Sequence, residues 1–172
     1  MRILLIVILL TAGFSVFAQY PPAAGQDGST AIDADSSICT GWASSCTVMR
    51  GWADISDTTY GRTDFGTETD ATGKADNNPV SLGDGGMAVV TFDTPVTNGP
   101  GPDFAVFENG LNDFFLELAF VEVSSNGQYY VRFPSVSLTP ADTQIATFGL
   151  LETTRIHNLA GKYRTMYGTP FD

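Results

Sequence analysis

The residues that could do chemistry are concentrated in one stretch of the chain. Gly101-Pro-Asp-Phe-Ala-Val-Phe-Glu-Asn-Gly110 and Phe115-Leu-Glu-Leu-Ala-Phe-Val-Glu-Val-Ser-Ser-Asn-Gly127 set Asp103, Glu108, Asn109, Glu117 and Glu122 among Phe, Val, Leu and Ala. A carboxylate in apolar surroundings is costly unless it is paired, hydrogen-bonded or bound to a metal. With Asp84, which stands in the glycine turn Gly83-Asp-Gly-Gly86, they supply hard oxygen donors near glycines. Calcium takes about six to eight such oxygens from carboxylates, amides and backbone carbonyls. The candidate calcium ligands are therefore Asp84, Asp103, Glu108, Asn109 and Glu117. The helix-loop-helix calcium pattern is absent, and aspartates beside glycines also serve simply to hold turns.

Other chemistries are more narrowly bounded. Glu108 with Glu117 or Glu122 could form the carboxylate pair of a glycoside hydrolase, although any Glu-rich β-domain offers such pairs by chance. His157 is the only histidine, which excludes a multi-histidine metal site. No Gly-x-Ser-x-Gly elbow is present. No catalytic residue is assigned. Trp42, Trp52, Tyr163, Arg164 and Tyr167 are candidate ligand contacts. The two tryptophans lie in a repeated Gly-Trp-Ala, which reads as neighbouring strands of a hairpin and favours core packing over ligand stacking. The segment Gly161-Lys-Tyr-Arg-Thr-Met-Tyr-Gly168 mixes cations with aromatics and reads as a loop and a contact surface.

Elements must position these groups, and the rhythm of the chain indicates which. Gly, Asn, Asp, Thr and Pro interrupt it at short intervals and the helical period is weak, so the expected architecture is all-β, an antiparallel sandwich of short strands. Strands are expected over 87–92, 104–107, 115–124 and 129–133. The third has apolar residues on both faces and reads as a covered central strand. Ser125-Asn-Gly127 between the last two is a hairpin signal, because Asn and Gly tolerate positive φ.

Composition sets the compartment and the partners. Eight basic against 19 acidic residues give a formal charge of −11 in a chain of 172. That balance excludes nucleic acid and disfavours anionic membrane surfaces as partners. Arg2 followed by the apolar run Ile3 to Leu10, with Val16-Phe-Ala18 before Gln19, reads as a secretory signal peptide over 1–18. Residues 19–30 read as a flexible leader rich in Pro, Gly and Ala, and 31–172 as one domain. In an exported chain, Cys39 and Cys46 are expected to form a short-loop disulfide; two buried free thiols are the alternative.

Several motifs together resemble a family of exported bacterial surface proteins. They are Gly41-Trp-Ala43, Ser81-Leu-Gly-Asp-Gly-Gly86, Pro102-Asp-Phe-Ala-Val-Phe-Glu-Asn109, Phe115-Leu-Glu-Leu-Ala-Phe-Val-Glu-Val-Ser-Ser125, Asn158-Leu-Ala-Gly-Lys-Tyr-Arg164 and Tyr167-Gly-Thr-Pro-Phe-Asp172. Members are of the Bacteroidetes type and often carry a C-terminal sorting domain. The resemblance implies an extracellular β-rich domain rather than a reaction. A looser similarity, through Val121-Glu-Val-Ser-Ser-Asn-Gly127, is to galactose-binding-like jelly rolls of the discoidin kind, which often hold a structural calcium. The family's chain continues past Gly-Thr-Pro-Phe-Asp, so this sandwich is expected to be incomplete at its C-terminal side.

The expectation is thus a secreted or surface-displayed β-sandwich binding module, calcium-stabilised, contacting a glycan, small molecule or surface protein. The alternatives are a purely structural or adhesive domain and a hydrolase using paired glutamates.

Overall fold

In a computed structural model, which describes residues 20–140, 142, 145 and 149–172, the chain is β-rich with only short 3-10 turns between its strands. The expected signal segment, 1–18, lies outside the described residues. No helix among the described residues is long and apolar enough to cross a membrane.

The main sheet joins distant parts of the sequence. β1 (Ile32–Asp33) and β4 (Phe104–Val106) flank β9 (Tyr167–Phe171), both antiparallel. Ile32 pairs with Gly168, and Phe104, Ala105 and Val106 pair with Phe171, Pro170 and Thr169. Gly168-Thr-Pro170 is turn-forming by local preference, yet it is the middle of the central strand. Pro170 is tolerated there because Thr169 and Phe171 face β4. Its missing N–H therefore points to the other side, past Ile32, where β1 has already ended. Gly168 is required because the Phe107 ring crosses it: a Cβ there would stand 2.8 Å from Phe107 Cζ.

Three two-stranded ribbons complete the pattern. β2 (Ser45–Met49) pairs with β3 (Met87–Thr91) along its whole length, from Ser45 opposite Thr91 to Met49 opposite Met87. β3 was legible as an apolar run after the glycine turn. β5 (Glu122–Val123) pairs with β6 (Val131–Arg132), and β7 (Val136–Ser137) with β8 (Ile156–His157). The long central strand expected over 115–124 is not formed. Only Glu122 and Val123 are strand, Ala119 makes an isolated bridge to Ala160, and Phe120 is 61 % exposed. The Asn126-Gly127 turn is present with Gly127 at φ +67, and the Asn126 side-chain oxygen accepts from the backbone N–H of Gln128 and Tyr129.

The two Gly-Trp-Ala segments are not partners in a hairpin. Trp52 bridges Arg62 and Asp84, with the Arg62 guanidinium 4.5 Å above its ring, whereas Trp42 packs on Phe107 at 5.2 Å. Arg50, beside Trp52, donates to the carbonyls of Phe65, Gly66 and Ser81 and so ties three loop segments together.

The core sits around the C-terminal third. Leu116, Ile156 and Leu159 form its centre, with Leu118 and Leu151 against it, and Ala160, Tyr163 and Phe171 are also buried. The reading of 161–168 as a contact loop is therefore corrected at Tyr163, which is 1 % exposed and shares a hydrogen bond of 2.9 Å with Thr30 Oγ1. Residues 20–30, expected as a flexible leader, are packed: Ala23 and Ala24 are buried, and Tyr20 N donates to Thr154 O. Apolar side chains there gain more by burial than the chain loses in freedom.

Candidate functional site

β4 runs straight into the site. Alternation along the strand sends Phe104 into an aromatic cluster with Phe133 and Phe171. Two and three residues beyond the strand, Glu108 and Asn109 meet Glu117 from the following segment. The Ala119–Ala160 bridge, with hydrogen bonds of 3.2 and 2.9 Å, clamps that segment to 158–164. Gly161 forms the floor. At φ +75 it lies so close that a Cβ would stand 1.8 Å from the Glu117 carbonyl oxygen and 3.4 Å from Glu108 Cγ.

One polar end of the Asn109 amide lies 3.1 Å from Glu108 Oε1 and 3.3 Å from Glu117 Oε2. The two carboxylate oxygens are thus no farther apart than those two distances laid end to end. With its nitrogen at that end, Asn109 donates to both carboxylates. With its oxygen there, three oxygens face one another, an arrangement that needs a proton on a carboxyl or a cation between them. The second Glu108 oxygen, Oε2, is shielded from solvent and has no hydrogen-bond partner. Glu117 is exposed. The ion pairs among the described residues lie elsewhere, at Lys74–Asp35, Arg132–Glu122, Arg155–Glu152 and Arg164–Asp113.

Burial, then the charge of Glu117, push the Glu108 carboxyl up to about 7, against the backbone N–H groups of Gly110 and Asn109, which pull it down. A raised carboxyl stabilises the fold below the unfolded-state value, and that stability is lost as pH rises through the folded value. In chelator, the melting temperature is therefore expected to fall between about pH 5 and 8, by the equivalent of about 2–3 kcal/mol. Glu108→Gln, which has no proton to lose, should flatten that slope. Parallel pH profiles for the two proteins would show that Glu108 is not the group responsible.

On the far side of Gly161, Lys162 is 3 % exposed and donates to Ile156 O at 2.7 Å. Burial drives its ammonium down to about 8. His157 stacks on Tyr20 at 4.8 Å, and burial followed by the charge of Lys162 lowers its imidazole as well. His157 is thus a packed structural residue.

Of the five expected metal ligands, Glu108, Asn109 and Glu117 come together and two do not. Asp84 Oδ2 accepts from Ile55 N at 3.0 Å, and Asp103 Oδ1 from Gly99 N at 2.7 Å, so both hold loops. Asp103 and Glu108 also stand at opposite ends of β4. Among the described residues, no group of three or more His, Cys, Asp or Glu is arranged to hold a metal. Glu122 is engaged at the surface, where its carboxylate accepts from Arg132 Nε at 2.8 Å. Of the expected ligand contacts, Trp42, Trp52, Arg164 and Tyr167 are half-buried and Tyr163 is core. Arg164 bonds Ala24 O and Asp113 Oδ1 and lies 4.6 Å from the Tyr167 ring centre, a brace between leader and core. Cys39 and Cys46 are free. Burial raises both thiols, helped by Asp33 at Cys39 and by Glu68 at Cys46.

Sequence reasoning did not single out Gly161, Asn77 or Thr165. A glycine between Ala160 and a buried Lys-Tyr pair marks close backbone approach. Asn77, at φ +68, belongs to an Asn-Asn-Pro turn signal. Asn77, Asn109, Leu111 and Thr165 line a cavity of about 220 Å³ beside the carboxylates. The chain matches no family model, no curated protein and no solved structure.

Proposed function

We propose that this chain is an exported β-sandwich binding module whose acidic centre, formed by Glu108, Asn109 and Glu117, holds a calcium ion and presents the adjoining surface to an extracellular glycan or similar ligand. The observation that carries this reading is the approach of Glu108 Oε1 and Glu117 Oε2 to one end of the Asn109 amide, at 3.1 and 3.3 Å, with the Glu108 carboxyl largely buried. Such a group needs a proton or a cation. The donor set suits calcium: two carboxylates and an amide, all hard oxygens. Water or ligand hydroxyls would complete the shell. Asn109 turns its oxygen inward when a cation is present and its nitrogen inward when none is. The apolar N-terminal run and the acidic composition support an extracytoplasmic setting, where millimolar calcium sites are of use.

Thermal melts test the metal. Binding to the native state alone stabilises by mass action, about 2.7 kcal/mol at a hundredfold excess over Kd. At pH 7.5, saturating calcium is expected to raise the melting temperature by several degrees over chelator, magnesium by less, and Glu108→Gln with Glu117→Gln should abolish the rise. Coincident melts of the unsubstituted protein in calcium and in chelator would remove the calcium site.

The hydrolase reading gains one observation, a carboxyl held at about 7 beside a second carboxylate. It is the weaker reading, because the free oxygen of Glu108 is shielded rather than open to a substrate.

A further inference from the structure

We infer that the cavity bounded by Asn77, Asn109, Leu111 and Thr165 binds a neutral polyhydroxylated ring, a single monosaccharide unit. The inference deepens the proposed function and rests on it for the cation next door. The argument begins with size. At about 220 Å³ the cavity is smaller than the ~300–1,000 Å³ clefts that take drug-sized ligands, so it accommodates one ring or a chain end.

Its lining then sets the chemistry. Two amides, one hydroxyl and one leucine line it, with no ionisable side chain among them. The Thr165 hydrogen is spent on Asn77 Oδ1 and the Asn109 nitrogen on the two carboxylates, which leaves the Asn77 amide nitrogen to donate and the Asn109 and Thr165 oxygens to accept, the complement of a pair of adjacent hydroxyls. Leu111, 73 % exposed, supplies an apolar surface for the C–H face of a sugar ring. Anions are disfavoured, because Asn109 on the cavity wall also touches Glu108 and Glu117.

The backbone around the cavity is held in an uncommon conformation. Asn77 has φ +68, and Met166, next to Thr165, has φ +65, where a bulky side chain is rarely found. Such conformations persist when surrounding contacts over-determine them, and they collect at ligand sites. Here the contacts are evident. The Thr165 hydroxyl bonds the Asn77 side-chain oxygen, and Thr165 N donates to Gly110 O at 2.9 Å. The cavity walls, drawn from three distant segments, are thereby fixed to the loop that carries Asn109. Because Asn109 belongs to both sites, a cation that orients its amide also sets which edge faces the sugar, so calcium and sugar affinities are linked.

Calorimetric titration with glucose, galactose, mannose and N-acetylglucosamine, each in calcium and in chelator, tests the site. At least one is expected to bind at about millimolar Kd in calcium. Asn77→Gly, which keeps the positive φ, and Thr165→Val should each weaken it at least about tenfold, corresponding to the loss of one good polar contact, with melting temperatures little changed. Equal affinity with and without calcium supports the cavity and overturns the linkage through Asn109, while the melts in calcium and chelator decide the cation itself. Calcium stabilisation with no sugar bound in either buffer overturns the cavity and leaves the proposed function standing. Binding that survives both substitutions places the sugar elsewhere and also overturns it.

Discussion

Replacing Gly161 with alanine is expected to destabilise the protein by on the order of 3–4 kcal/mol, among the largest effects a single methyl can have. Two costs combine. At φ +75 an L-residue carries a backbone penalty of about 1 kcal/mol. The new Cβ would also stand 1.8 Å from the Glu117 carbonyl oxygen, with no flexible side-chain end to yield. Relief requires the Glu117 segment to move, and the Ala119–Ala160 hydrogen bonds hold that segment in place. The appropriate control is Gly127→Ala. Gly127 has a similar φ of +67 but open space around its Cβ, so only the conformational penalty should remain. Urea midpoints at unchanged slope give both values. Equal losses at the two positions would mean that the contact between Gly161 and Glu117 is not tight in solution.

Phe171→Ala is expected to cost about 3–5 kcal/mol, the range for deleting a buried aromatic. The ring is 2 % exposed, stacks on Phe104 at 5.3 Å and 14°, and meets Phe133 at 5.1 Å. Phe104 is its cross-strand register partner, so the loss falls on the pairing of β4 with β9 as well as on the core. That pairing sets the start of the Glu108 loop. If the proposed calcium site exists, the variant is therefore also expected to weaken its stabilising effect without touching an acidic residue. A loss below about 1 kcal/mol, as for a surface position, would contradict the placement of β9 at the centre of the sheet.

What the sequence revealed was local, and what it hid was long-range. β3 and β4 could be read because a short apolar run and a preceding glycine turn are properties of neighbouring residues. β9 was missed because Gly168 and Pro170 are turn-formers by local preference. They are tolerated in a strand only because Phe107 crosses the one and β1 stops short of the other. The stretch 115–124 shows the opposite error: its two apolar faces suggested a central strand, yet most of it pairs with nothing regular and only Leu116 is fully buried. At the site, acidic residues in apolar runs drew attention to Glu108, Asn109 and Glu117, which the fold brings together. The same pattern included Asp84 and Asp103, whose roles in loops depend on partners, Ile55 and Gly99, that composition does not reveal. The aromatic and cationic tail looked like a surface because Lys and Arg usually are exposed. Lys162 is buried because a backbone carbonyl receives it.

The main sheet also has a kinetic meaning. Its central strand is translated long after β1, so Ile32 must wait for Gly168 before either finds its partner. Closing so long a loop costs entropy before any contact rewards it, and folds dominated by such pairings form slowly. Until Tyr167–Phe171 has been made, β1 and β4 have no strand to join them, and the apolar residues meant for their shared core stay loose. A chain built this way stays open, with its main sheet unformed, until Tyr167–Phe171 is available.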